Sequence, residues 1–157
     1  DATPFEIGKA HVLREGNDVA LIACGALVWE CLLAAQELAK KGIQARVINN
    51  PSIKPFDVET TVTAARECGA IVTAEEHQVH GGLGGAVAEV TAKNSPVPIE
   101  FVGVKDSFGG SGDPDELMIK FGLTWKEIYA SALKAIERRD KGSVGFRRVK
   151  DVEQYNG

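Results

Sequence analysis

Glu75-Glu76-His77-Gln78-Val79-His80-Gly81-Gly82-Leu83-Gly84-Gly85 gathers two acids, two imidazoles and four glycines into one stretch. Those residue types fit four chemistries. His77 and His80 with Glu75 and Glu76 are suitable metal ligands. Paired histidines on a helix face sit at i, i+4, however, and these lie three apart on a segment expected to be a loop. A glycine-rich loop that opens a helix can instead hold phosphate on its free N–H groups. The dinucleotide fingerprint breaks at Val87, where a third glycine is required, no Lys-Ser/Thr follows, and Glu75 and Glu76 would repel an anion. His77 oriented by the acids could act as a general base near neutral pH, but no serine or cysteine in the stretch completes a nucleophile pair. The fourth reading is structural. Gly81, Gly82, Gly84 and Gly85 let the chain turn tightly and the next helix approach its neighbour closely.

The elements around the stretch place it. Val19 to Cys24 is a short apolar run ending at Gly25, as expected of a strand buried on both faces. Residues 26–41 repeat apolar side chains at helical spacing and close at Gly42. Ile43 to Ile48 predicts a strand ending at Asn49-Asn50-Pro51. Asp57 predicts an N-cap for a helix that Gly69 ends. Ala70 to Ala74 and Pro98 to Gly103 predict two further strands, with a helix from Gly84 or Gly85 to about Lys93 between them. Ile7 to Leu13 alternates weakly, like an edge strand. Asp113-Pro114-Asp115-Glu116 and Thr124-Trp125-Lys126-Glu127 both carry helix-start signals.

Alternating strands and helices predict an α/β three-layer sandwich: a mostly parallel open sheet of about five strands with helices on both faces. Glu75-Glu76-His77 then falls at the carboxyl end of a strand, where such sheets present functional groups or meet another domain. The turn is expected to face a partner surface, with Glu75, Glu76, His77, His80, Gly81, Gly82, Gly84 and Gly85 as its candidate residues.

Composition narrows the function classes. The 157 residues suit one domain with a proper core. A net charge of −4 offers no general attraction to nucleic acid or an anionic membrane. Cys24, Cys31 and Cys68 form no CxxC pair, which predicts reduced thiols and a cytoplasmic setting. No apolar run reaches membrane-spanning length. The start at Asp1-Ala2-Thr3-Pro4 is expected of a piece of a longer chain. Residues 138–150 hold six basic residues against one acid, so residues 1–138 are expected to form the domain and 139–157 a basic, flexible tail.

Taken together the segments resemble the C-terminal domain of transketolases. Glu75-Glu76-His77 with Gly81 to Val87, Val19 to Gly25, Arg46-Val47-Ile48 through Ser52-Ile53-Lys54-Pro55-Phe56-Asp57, and Phe108 to Gly112 with Glu116-Leu117 and Phe121-Gly122-Leu123 occur in that family's order. The resemblance covers about Phe5 to Ile136. It implies an enzyme that moves a two-carbon ketol unit between sugar phosphates with thiamine diphosphate and magnesium. The cofactor sits between a pyrophosphate and a pyrimidine domain, usually of two subunits, and the C-terminal domain supports the dimer. This chain lacks the Gly-Asp-Gly…Asn signature of the pyrophosphate domain and shows no counterpart of the pyrimidine domain's activating glutamate. No catalytic, cofactor or metal residue is therefore expected on it. Three alternatives stay open: the same module in a deoxyxylulose-phosphate synthase or a 2-oxoacid dehydrogenase beta subunit, a stand-alone phosphometabolite-binding domain, and an interaction module using the basic tail.

Overall fold

The computed structural model describes residues 6–51, 53–78, 82–104 and 123–153, with backbone alone for 77, 78, 104 and 143–153. Its strands are β1 (His11–Arg14), β2 (Val19–Ala23), β3 (Ala45–Asn49), β4 (Ile71–Gln78) and β5 (Ile99–Val104). Its helices are α1 (Leu27–Ala39), α2 (Val58–Cys68), α3 (Leu83–Asn94) and α4 (Trp125–Glu153). The helix expected after Asp113 lies outside the described residues.

The strands form one sheet in the order β1-β3-β2-β4-β5. Only β1 runs antiparallel, paired with β3, and it is the edge strand that the weak alternation predicts. All five residues of β2 are inaccessible to solvent, because β2 is central and covered on both faces. One face packs Val19, Leu21, Val47 and Val72 against Leu27, Cys31 and Leu38 of α1 and Ile128 and Ala132 of α4. The other packs Ala20, Ile22, Ile48 and Ile71 against Ala64, Ala65 and Cys68 of α2 and Leu83 and Val87 of α3. This is the expected three-layer sandwich. Each fully buried Leu, Ile or Val in it contributes roughly 1.5–3 kcal/mol of transfer energy.

The local signals act as expected. The Asp57 side chain accepts from Thr60 N, and Gly69 ends α2 at φ 71°. Glu127 accepts from the Thr124 amide at the start of α4. Two boundaries differ. The strand expected over 70–74 runs on to Gln78, so Glu75, Glu76 and His77 are strand residues rather than loop. The apolar pattern stops at Arg138, yet the α4 backbone stays helical to Glu153. Its first basic residues are tied down: Arg138 donates to Ile99 O at 3.1 Å, and Arg139 Nη1 donates to Asp18 O at 2.7 Å and to Cys68 O at 3.0 Å. Arg139 thereby meets the carbonyl end of α2, where a cation complements the helix dipole.

Arg139→Ala should lower stability by about 1–3 kcal/mol, because two carbonyls lose a charged donor. Urea denaturation should show a lower midpoint with an unchanged slope. An unaltered midpoint would mean that the clamp does not hold α4 to the sheet.

Candidate functional site

The glycine-rich turn is built around one carboxylate. Glu75, on β4, is only 2% exposed. Its Oε1 accepts from Leu83 N at 2.9 Å and its Oε2 from Gly84 N at 2.6 Å. These amides open α3, where no intrahelical acceptor exists and the dipole favours a negative group. The N-cap position is Gly82, which has no side chain to perform this task. A residue eight positions upstream therefore caps the helix across the turn. Because both carboxylate oxygens are bonded, an acid can continue β4 into the interior.

The glycines divide by role. A Cβ on Gly84 would lie 2.7 Å from Phe101 Cδ1 and 3.0 Å from Thr73 Oγ1, so α3 comes this close to the sheet only with glycine there. A Cβ on Gly85 meets nothing within 4 Å. Gly84 faces inward, whereas Gly85 is open to substitution. Glu76 is exposed. His77 lies on β4, and His80 and Gly81 lie outside the described residues. Among the described residues no group of three or more His, Cys, Asp or Glu is placed to hold a metal ion.

Sheet register extends the site beyond the turn. Asn49, Ala23 and Ala74 are paired neighbours on β3, β2 and β4. One step further toward the carboxyl ends come Asn50, Cys24 and Glu75, a row across three adjacent strands. The connection from β2 leads to one side of the sheet and that from β4 to the other, so this row lies at the topological switch point. Cys24, expected to be buried, is half-buried. Burial first, and then the charges of Glu75 and Glu76, push its thiol pKa up, which keeps it protonated and a weak nucleophile. Asn50 is 1% exposed, and neither of its side-chain polar atoms has a hydrogen-bond partner among the described residues. The sequence reading passed over it. The one available signal was a polar pair, Asn49-Asn50, set directly at the end of a buried strand.

Two more acids start helices. Asp57 Oδ2 accepts from Ala10 N at 2.9 Å, which ties the segment before β1 to α2. Burial alone would raise its pKa. The bonds from the Ala10 and Thr60 amides and the Thr60 hydroxyl, with the Lys9 charge, outweigh burial and hold it below its usual value. Glu30 of α1 accepts from Trp125 N at 2.8 Å and so caps α4.

Glu75→Gln leaves one acceptor for two amides and should cost about 1–3 kcal/mol in urea denaturation. A variant as stable as the parent would show that the two bonds do not hold α3. Asp57 has a lowered folded pKa, so its contribution is complete above the unfolded value and disappears as pH falls through the folded one. The stability gap between the parent and Asp57→Asn should therefore be constant at neutral pH and close only below the ordinary aspartate range. A gap that narrows on the alkaline side would contradict this account.

The comparisons with known proteins agree with this geometry. The family model described as Transketolase, C-terminal domain, matches residues 8–128. The 6-deoxy-6-sulfo-D-fructose transketolase subunit SqwH of Clostridium sp. (strain MSTE9) is 52% identical over 136 residues, covering 87% of this chain and 42% of the relative. The 1-deoxy-D-xylulose-5-phosphate synthase of Symbiobacterium thermophilum is 39% identical over 157 residues, covering 98% of this chain and 24% of that enzyme. A solved structure described as a split gene transketolase, inactive beta4 tetramer, is 46% identical with a TM-score of 0.84, covering 87% of this chain and 45% of that one. The chain thus spans less than half the length of these relatives. With its family matched over most of its residues and its fold shared with a split-gene relative, this chain belongs to the transketolase C-terminal domain family.

Proposed function

We propose that this chain is the assembly module of a thiamine diphosphate-dependent transketolase, part of a split or single-chain enzyme that transfers a two-carbon ketol unit between sugar phosphates. The module docks on the pyrimidine domain and supports the homodimer, leaving chemistry to the pyrimidine and pyrophosphate domains. The observation that carries this reading is the kind of side chain at the carboxyl edge. Ile7 is 70% exposed, Trp29 64%, Val58 45% and Ile53 39%. Trp29 and Val58 open α1 and α2, Ile53 lies between β3 and α2, and Ile7 precedes β1, whose first residue pairs with Asn49 at the end of β3. Four large apolar side chains around one edge suit a protein partner better than solvent.

The same edge does not fit the cofactor. A diphosphate needs free donors, and Glu75 already occupies the first amides of α3. Thiamine diphosphate and magnesium are therefore assigned to the partner domains. Cys31 and Cys68 are buried free thiols, consistent with a reducing, cytoplasmic setting. Among the described residues no helix is long and apolar enough to cross a membrane. A second reading, the same module in a deoxyxylulose-phosphate synthase, is favoured by the alignment of the Symbiobacterium enzyme over 98% of this chain.

Calorimetry of this chain with thiamine diphosphate and magnesium should show no binding, and micromolar affinity would refute the assignment. The interface is tested in the parent enzyme with Gly85→Arg, at a half-buried position where an added Cβ meets nothing, and with Glu76→Lys, at an exposed one. Both should shift the dimer toward monomer on dilution in sedimentation while leaving the module's own unfolding unchanged. Full dimer stability in both variants would remove the turn from the interface.

A further inference from the structure

Helix α4 is longer than the sheet it covers. It starts at the carboxyl edge, where Glu30 in the first turn of α1 accepts from Trp125 N. It reaches the amino edge at Arg139, which donates to Asp18 O and Cys68 O, just ahead of β2 and β4. From Trp125 to Arg139 the helix rises about 21 Å, and it then continues to Glu153 for about another 21 Å beyond the end of the sheet. A Cβ on Gly142 meets nothing within 4 Å. An isolated helix shorter than about 12–15 residues is marginal in water, and Gly142 and Gly145 weaken this one further. The extension therefore gains from a surface to lie on.

A surface of fitting length and charge lies on the opposite face of the sheet, the one packed by α2 and α3. There α2 leaves the edge strand partly uncovered, and Val12 of β1 is 42% exposed. Val12 and Ile48 line a groove of about 380 Å³ beside α2, together with Glu15, Arg46, Glu59 and Glu67. Glu59 and Glu67 stand eight positions apart on α2, so this wall is about 12 Å long. Arg46 pairs with Glu67 at 2.5 Å and lies 3.8 Å from Glu15. Three carboxylates against one guanidinium leave the groove with excess negative charge over an apolar floor.

We propose that this groove receives residues 143–153 of a second copy of the chain, with Arg147 and Lys150 set against Glu15 and Glu59. Arg147-Arg148-Val149-Lys150 holds three cations and no acid, the complement of the groove's charge. Arg147 and Lys150 are three positions apart and so share a helix face. The extension spans about 15 Å from residue 143 to residue 153, enough to lie along the wall of α2. Its own groove is out of reach. The extension leaves the amino edge on the face of α1 and α4, and the groove is on the other face, so a continuous helix meets a neighbour's groove. Two copies with facing amino edges exchange extensions reciprocally, which closes the assembly at a dimer. The contact lies at the end of the sheet opposite the glycine-rich turn, so it does not rest on the docking role proposed above.

The test uses the whole chain. In sedimentation at low ionic strength it should form a dimer that dissociates at molar salt, where the screening length falls to about 3 Å. Arg147→Glu with Lys150→Glu should raise the dimer dissociation constant at least about tenfold. Glu15→Lys with Glu59→Lys should do the same from the other side. An equimolar mixture of the two double variants should dimerise again, because each reversed extension then meets a reversed groove and each native extension a native groove. Carbodiimide coupling in a mixture of ¹⁴N and ¹⁵N parent chains should link Lys150 to Glu15 or Glu59 across differently labelled chains. A parent chain that stays monomeric, double variants that dimerise as the parent does, a mixture that stays monomeric, or Lys150 links confined to single chains would each overturn the proposal.

Discussion

The buried carboxylate of Glu75 is the interaction on which the carboxyl edge depends. An ionised acid in a protein interior is tolerated only when its oxygens are bonded, and the two amides that begin α3 supply those bonds. Several features follow from that pairing. β4 can run past Ala74 through two acids without breaking the core. α3 is fixed against β4 and sits close enough that Gly84 is required opposite Phe101. The positive end of the helix, which in other α/β proteins receives a phosphate, is neutralised from within.

Similar logic recurs elsewhere in the sheet. Asp57 starts α2 and holds the segment before β1, and Glu30 caps α4 from α1. Acids therefore bind helix amino termini at one end of the molecule. At the other end arginines bind carbonyls: Arg139 spans Asp18 and the last residue of α2, and Arg138 reaches Ile99 and Glu100. Charge is placed by helix polarity, which lets these charged groups flank an apolar core. Apart from the Asp57–Thr60 cap, these contacts join segments far apart in sequence, so the polar bonds fix the layers relative to one another while the hydrophobic faces supply the bulk of the stability.

Much of this was legible in the sequence because it is local. The apolar run of β2, the helical spacing of α1, Asp57 as a cap, Gly69 as a stop and the Thr124–Glu127 pair each depend on residues a few positions apart. The extension of β4 was not legible, since two acids and a histidine read as loop until a helix eight residues on is known to take up the first acid. The Glu30 cap on Trp125 spans 95 residues and leaves no local trace. The helical course of residues 139–153 was missed because the apolar pattern stops, although Arg138 and Arg139 anchor its first turn to the sheet. Asn50 went unnoticed because a polar residue at a strand end is ordinary. Its significance lies in what it fails to touch.

The distribution of polar groups also bears on how labour is divided within the family. A site that moves a ketol unit must stabilise charge on a cofactor and bind phosphate, which calls for free cations, metal ligands or open helix termini. At this edge the reverse holds: Glu75, Asp57 and Glu30 are spent on helix termini, the Cys24 thiol is held neutral, and four exposed large side chains around the rim are apolar. Such a surface gains free energy by excluding water against another protein and has little with which to polarise a carbonyl. The fold thus retains the switch-point geometry that in related architectures hosts a ligand, and under the docking role proposed above its side chains suit that position to association.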